Sequence, residues 1–305
     1  MDSPGRNLQD GPALAPDPSD LDSSFSMRDP VTDSQHELII EPHAGMSPID
    51  LHELWRFREL FYMLAWREIK VRYKQTVLGT AWAIFQPVIT MIVFTLFFGV
   101  LIRVPSDNVP YPIFVYAGLL PWTFFSNGIS RASNSLLGDA NMISKVYFPR
   151  VIVPISSFGA GALDLAISFI IMLVMMLHYG VYPGFSVLLF APLLLITFLV
   201  AVGVGTWLAA LSVAYRDVKY ITPFLIQLWM YSTPVIYPVS VVPEKWRWVL
   251  SLNPMAGLID GCRSALFGKP FAWGNIMISI LMSFGLAVFG LLYFKRFERN
   301  FVDII

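Results

Sequence analysis

The 305-residue chain balances 21 Lys+Arg against 21 Asp+Glu, yet only 14% of it is charged, 56% is hydrophobic, 15% is aromatic and mean hydropathy is +0.62. A chain this apolar lacks the polar surface to cover itself in water, which excludes an ordinary soluble domain and makes lipid its main solvent. One cysteine, Cys262, excludes an internal disulfide framework, and four scattered histidines offer no metal-ligand spacing, so neither a zinc nor a thiol enzyme is expected, and no metal.

The zero balance hides a split. Residues 1–50 carry ten acids and two bases, a net charge of −8, which leaves +8 for the remainder. This first segment is studded with Pro, Ser and Gly and has no apolar periodicity, so it is expected to be a disordered acidic tail. It lacks the basic start and early apolar stretch of a secretory signal, and should stay in the cytosol.

Residues 51–75 read as one amphipathic helix. At 100° per residue His52, Arg56, Glu59, Arg67, Lys70 and Lys74 share a face, Phe57, Phe61 and Leu64 lie opposite, and Trp55, Tyr62, Trp66 and Tyr73 line the border; Arg58, Glu68 and Arg72 are exceptions. Such a helix is expected in the membrane interface, with its apolar face down and its basic face toward headgroups or a protein partner.

Long uncharged stretches follow at about 77–102, 108–130, 151–177, 186–214, 221–240 and 271–294. Each supplies the ~20 residues a helix needs to cross the hydrocarbon core. The expected fold is therefore an all-α polytopic membrane protein, with six transmembrane helices in residues 76–305. With both termini in the cytosol, fourteen Lys and Arg flank the inner side against five on the outer side, in accord with the positive-inside rule. The third span carries its only acid, Asp164. A carboxylate at the bilayer centre costs about 2.5–3.5 kcal/mol on insertion scales, so it should face the bundle, the dimer seam or water rather than lipid, in a hydrogen-bonded packing role. Proton coupling is disfavoured because no second intramembrane acid, histidine or base completes a relay. Arg216 and Asp217, after the fourth span, read as a solvated pair or as a contact to a partner. Residues 234–270 hold five prolines, with Trp246 and Trp248, and read as short re-entrant or interfacial helices on the outer side.

No internal repeat is visible, which argues against a transporter built from inverted halves. There is also no P-loop: before Gly268-Lys269 the required first glycine is Arg263, and Pro270 replaces the Ser or Thr. Any ATPase that drives this chain must be a separate polypeptide.

Several segments carry a specific likeness: RFRELFYMLAWREIKVRYKQTVLGTAWAIFQP (56–87), NMISKVYFPR (141–150), LSVAYRDVKY (211–220) and NPMAGLIDGCRSALF (253–267). Together they resemble the membrane subunits of type-2 ABC exporters for polysaccharides, the family that moves O-antigen, capsule or teichoic-acid chains. The likeness covers roughly residues 52–305. It implies a homodimer in the bacterial inner membrane, joined to two ATPase subunits that hold ATP and Mg, with a lipid-linked polysaccharide as substrate and membrane lipids, but no nucleic acid, as further partners. This chain would bind no cofactor and catalyse nothing.

The resemblance also assigns residues. The gate helix would use Trp55, Arg56, Arg58, Trp66, Arg67, Lys70, Arg72 and Tyr73, with Leu78-Gly79 as the turn into the first span; glycine there lets the chain turn where a branched residue would clash. Coupling to the ATPase would fall to Asn141, Lys145, Phe148, Pro149 and Arg150 on a short helix, and to Arg216 and Asp217. Sugar rings have apolar C–H faces that lie against aromatic planes, so Trp82, Phe85, Phe94, Phe98, Trp229, Tyr231 and Tyr237 are channel-lining candidates, the other aromatics serving lipid contact and packing. Two alternatives remain open: a type-2 exporter of a drug or simple lipid, and a membrane-embedded polyprenyl-dependent transferase. The second needs clustered acids or bases at one membrane face, and beyond Asp107 only Glu244 and Asp260 stand in the outer segments.

Overall fold

In lipid every backbone polar group must be satisfied within the chain, and long apolar runs achieve this by winding into helices. A computed structural model describes residues 51–74 and 81–298, where every regular element is helical. The acidic segment 1–50 and the Leu78-Gly79 turn lie outside the described residues. In chain order the elements are α1 (Leu51–Arg56), α2 (Arg58–Lys74), α3 (Ala81–Phe94) continuing as a π-helical stretch Thr95–Leu101, α4 (Tyr111–Gly138), α5 (Ala140–Ile143), α6 (Ile152–Ser156) and α7 (Gly159–His178). A 3-10 turn at Phe185–Leu189 then leads into α8 (Phe190–Ala214), followed by α9 (Val218–Tyr231), α10 (Glu244–Ser251), α11 (Pro254–Phe267) and α12 (Trp273–Glu298).

Among the described residues four helical stretches are long and apolar enough to cross a bilayer: Ala81–Leu101, Ile152–His178, Phe185–Ala214 and Trp273–Glu298. They coincide with the first, third, fourth and sixth expected spans. The second, α4, has 28 residues, about 42 Å of helix at ~1.5 Å each, but Ser130, Arg131, Ser133, Asn134 and Ser135 dilute the apolar character of its last turns. The fifth expected span is not one helix. α9 ends at Tyr231 after 14 residues, about 21 Å against a core of ~30 Å, and Pro234 and Pro238 keep the chain from resuming it. Thr233, Pro234, Val235 and Ile236 instead form a buried turn.

α4 is the centre of the bundle. Its apolar residues from Ile113 to Ile129 are almost all buried, in a core shared with α7, α8 and α11. α8 and α12 approach closely because their contact is built from small residues: a Cβ at Gly203 would stand 2.5 Å from Ala287 Cα, and one at Gly290 would overlap the Gly203 carbonyl.

The segment from Ser232 to Pro270 is held by polar side chains that serve broken backbone. Asn253 caps α11, its Oδ1 accepting from the Met255 amide at 3.1 Å and from Trp229 Nε1 at 2.9 Å, while its amide donates to Thr233 Oγ1 at 2.9 Å. Pro254 follows at the first helical position, where its missing N–H costs nothing. Gly268 ends the helix in the left-handed conformation, φ 65°, and the Lys269 amide donates back to the Ser264 carbonyl. Arg263 lies inside the bundle, donating to the carbonyls of Pro234 (2.7 Å), Val235 (2.5 Å) and Phe114 (3.3 Å) with its guanidinium 3.8 Å from the Phe114 ring centre. The turn before α4 joins this assembly through Asp107, whose carboxylate accepts from Ser240 and whose carbonyl accepts from Lys269 Nζ.

Candidate gate and coupling site

α1 and α2 were expected to form one helix with its apolar face in the membrane. The helix instead breaks at Phe57, and its apolar edge packs on the protein. Leu54, Phe57, Leu60 and Leu64 join Ile143, Phe148, Val151, Ile152 and Phe294 in a second hydrophobic cluster, separate from the main core. Gly159 permits the contact with α7, since a Cβ there would sit 2.9 Å from Ala65 Cβ. The side turned away from the bundle is aromatic and cationic. Trp55, Tyr62 and Trp66 are exposed; Tyr62 stacks on Trp66 at 6.4 Å, Arg58 lies over Trp55 at 5.7 Å and Lys70 over Trp66 at 5.8 Å. Arg56 is also exposed.

Arg67, Arg72 and Tyr73 point inward, to two acids. Arg67 Nη2 donates to Asp139 Oδ2 at 2.5 Å and also meets Glu68 at 3.4 Å. The hydrogen bond to Asp139 raises the Arg67 guanidinium above its ordinary pKa, against a smaller opposing effect of burial. At the end of α2 Arg72 Nη2 lies 2.7 Å from Asp164 Oδ2, and the Tyr73 hydroxyl donates to Asp164 Oδ1. Arg131 of α4 completes the group at 3.5 Å from the same Oδ2, so this oxygen is held by ion contacts rather than aligned hydrogen bonds. Burial, reinforced by the bond to Asp164, pushes the Tyr73 phenol well above its usual pKa and keeps it a donor. The acid read from the sequence as a lone intramembrane carboxylate therefore ties α2, α4 and α7 together.

The loop between α4 and α6 was expected to hold a short helix stopped by Pro149. Its helix, α5, is only four residues long and ends before Lys145. Asn141 and Lys145 are exposed, whereas Phe148 is buried in the second cluster beneath α2. Pro149 precedes Arg150, whose amide donates to Glu298 Oε1 at 3.0 Å and whose Nη1 donates to the Glu298 carbonyl at 2.6 Å, fastening the loop to the end of α12. Val146 and Tyr147 were not singled out from the sequence, yet they stand 57% and 75% exposed, the largest apolar surface on the loop. The available signal was an apolar pair flanked by Lys145 in a segment otherwise read for its charges. Asp139 and Arg131 were likewise missed. Arg216 and Asp217 are both exposed at the corner between α8 and α9.

Trp82 and Phe85 are exposed on α3, and Tyr231 at the end of α9. Phe94 and Phe98 pack edge to face at 5.9 Å against the main core, and Tyr237 is half-buried with its hydroxyl 3.4 Å from the Tyr231 carbonyl. Trp229 is committed inward, to Asn253 through its indole N–H and to the Phe125 ring at 5.0 Å. Among the described residues no cluster of His, Cys, Asp and Glu could hold a metal ion.

A family profile described as ABC-2 type transporter matches residues 59–267. The chain is 32% identical over 220 residues to the O-antigen export system permease protein RfbA of Myxococcus xanthus, covering 71% of this chain and 84% of that protein. It is 27% identical over 248 residues to the O-antigen export system permease protein RfbA of Klebsiella pneumoniae, covering 81% and 95%. Similarity to the polysialic acid transport protein KpsM of Escherichia coli is 22% identity over 205 residues, covering 66% and 78%.

Proposed function

Because the chain belongs to the ABC-2 type transporter family, we propose that it is the permease subunit of an ATP-driven exporter carrying a lipid-linked, O-antigen-like polysaccharide across the bacterial inner membrane. The observation that carries the reading is the length of the likeness to O-antigen export permeases, up to 248 residues and 81% of this chain, together with a family match over residues 59–267. Two copies would enclose a channel and bind two ATPase subunits, which hold ATP and Mg; this chain supplies no nucleotide site.

In this arrangement the six crossings are α3, α4, the α6–α7 pair, α8, α9 with its buried turn, and α12. Both termini face the cytosol. α10 and α11 form a re-entrant cap at the outer mouth, held by Asn253 and Arg263. At the inner mouth, Asn141, Lys145, Val146 and Tyr147 would meet the ATPase, with Arg216 and Asp217 beside them. Exposed aromatics on α3 and α9, Trp82, Phe85 and Tyr231 among them, are available to slide along the apolar faces of sugars.

Removing this chain from cells is expected to abolish surface polysaccharide and leave its lipid-linked form inside, and restoring the chain to reverse both. The purified chain alone should hydrolyse no ATP, and should support hydrolysis once joined to its ATPase. Undiminished surface polysaccharide in its absence, or substantial turnover by the chain alone, would overturn the reading.

A further inference from the structure

We propose that the Arg67–Asp139 pair is the joint through which movement of the 139–150 loop reaches the gate helix, and that the Asp164 cluster is the pivot about which that helix turns. The inference rests on the reading of the loop as the ATPase contact. Asp139 belongs to the loop by its backbone: its amide donates to the Ser135 carbonyl at the end of α4, and its carbonyl accepts from Met142 and Ile143 in α5. Its side chain reaches out of the loop to α2, across 72 residues of sequence, to hold Arg67 at 2.5 Å. A displacement of α5 therefore carries the carboxylate, and the carboxylate carries Arg67.

Five and six residues further along α2, Arg72 and Tyr73 are fastened to Asp164 of α7, which Arg131 of α4 also touches. Both α4 and α7 are packed into the main core, so this second attachment is the stationary one. The two attachments lie about 8 Å apart along the helix axis, at ~1.5 Å per residue. Two residues before Arg67, Ala65 rests on Gly159 of α7, whose missing side chain allows the close approach. A push at Arg67 against a hold at Arg72 and Tyr73 rotates α2 over α7. Arg67 and Asp139 are positioning residues: they act through the helix, and their side chains are 39% and 19% exposed, open enough for charge reversal without filling a core.

The test is charge reversal in the complex with the ATPase: Arg67→Asp, Asp139→Arg and the two together, reading ATP hydrolysis and polysaccharide export separately. Each single change is expected to lower export on the order of ten-fold, within the range of coupling between distant sites, while hydrolysis continues, and the double change to restore export. Single variants that export like the unaltered chain, or a double variant as impaired as the singles, would overturn the joint. Should the reversed single chains fail to reach the membrane, Arg67→Cys with Asp139→Cys bridged by a short bismaleimide decides the matter, because native Cys262 is buried. A joint that moves as one piece exports when bridged; a bridged complex that hydrolyses ATP without export overturns it. An unaltered complex that exports no polysaccharide overturns the functional reading, whatever the variants do.

Discussion

Arg263 carries a full charge into the interior and spends it on backbone. Its donors satisfy the Pro234 and Val235 carbonyls, which the proline break leaves outside any helix, and the Phe114 carbonyl of α4. Replacing it with Met removes all of these donors, and a buried group left unsatisfied costs about 1–3 kcal/mol; Arg263→Met should therefore lower the unfolding midpoint in detergent by a clearly resolved margin. Arg263→Lys keeps the charge but not the planar fork that serves several carbonyls at once, and is expected to recover only part of the loss. Asp164→Asn tests the inner cluster. It preserves shape while removing the carboxylate charge that Arg72 and Arg131 approach, with an expected cost of about 1–3 kcal/mol for the lost charge-assisted contacts, again read by thermal unfolding. The sequence showed that Asp164 must have company, because an acid in a span is expensive. It could not show which company: Tyr73 is 91 residues away, and only the folded chain brings it near. Arg263 was even less legible, since one cation in an otherwise apolar segment looks the same whether it snorkels to water or is sealed among carbonyls.

Helices here meet where side chains are small, and that rule makes the packing testable. Gly203→Val would drive a branched side chain into the Ala287 backbone of α12, and overpacking of this kind costs about 1–3 kcal/mol; reduced thermal stability of the purified chain is the expected result. In the loop after α4, neighbouring aromatics should behave oppositely. Phe148→Ala empties a place in the cluster beneath α2 and should destabilise the chain by about 3–5 kcal/mol, as for large core truncations. Tyr147→Ala removes an exposed ring and should leave stability unchanged while weakening co-purification with the ATPase. Both tyrosine and phenylalanine lie in the motif VYFP, and periodicity over so short a turn does not say which one faces in. The same limit explains the fifth span. Apolar content alone ran from 221 to 240, but Pro234 and Pro238 fixed the outcome, because a helix can be apolar enough to cross and still be too short. The helical stretches Ala81–Leu101, Ile152–His178, Phe185–Ala214 and Trp273–Glu298 are not cut short in this way: Pro87, Pro154 and Pro192 stand in their first halves, and the helix carries on beyond each.

At the scale of the whole molecule, the charge has two parts of equal size and opposite sign: −8 over residues 1–50 and +8 over the rest. The positive part is not spread evenly. It gathers on α2, beside the 139–150 loop, at the α8–α9 corner and at the end of α12, the places that the proposed orientation puts at the cytosolic side. Some of those cations are already committed to acids within the bundle, Arg67 to Asp139 and Arg72 to Asp164, so the basic face available to headgroups or to a partner is smaller than sequence counting suggests. Arg56, Arg58, Lys70, Lys74 and Lys145 remain exposed on it. The acidic segment precedes the family match, which begins at residue 59. Deleting residues 1–45 is therefore expected to leave membrane insertion, co-purification with the ATPase and surface export intact. Co-purification and immunodetection of surface polysaccharide check this together, and loss of the complex on deletion would make the acidic segment part of the assembly itself.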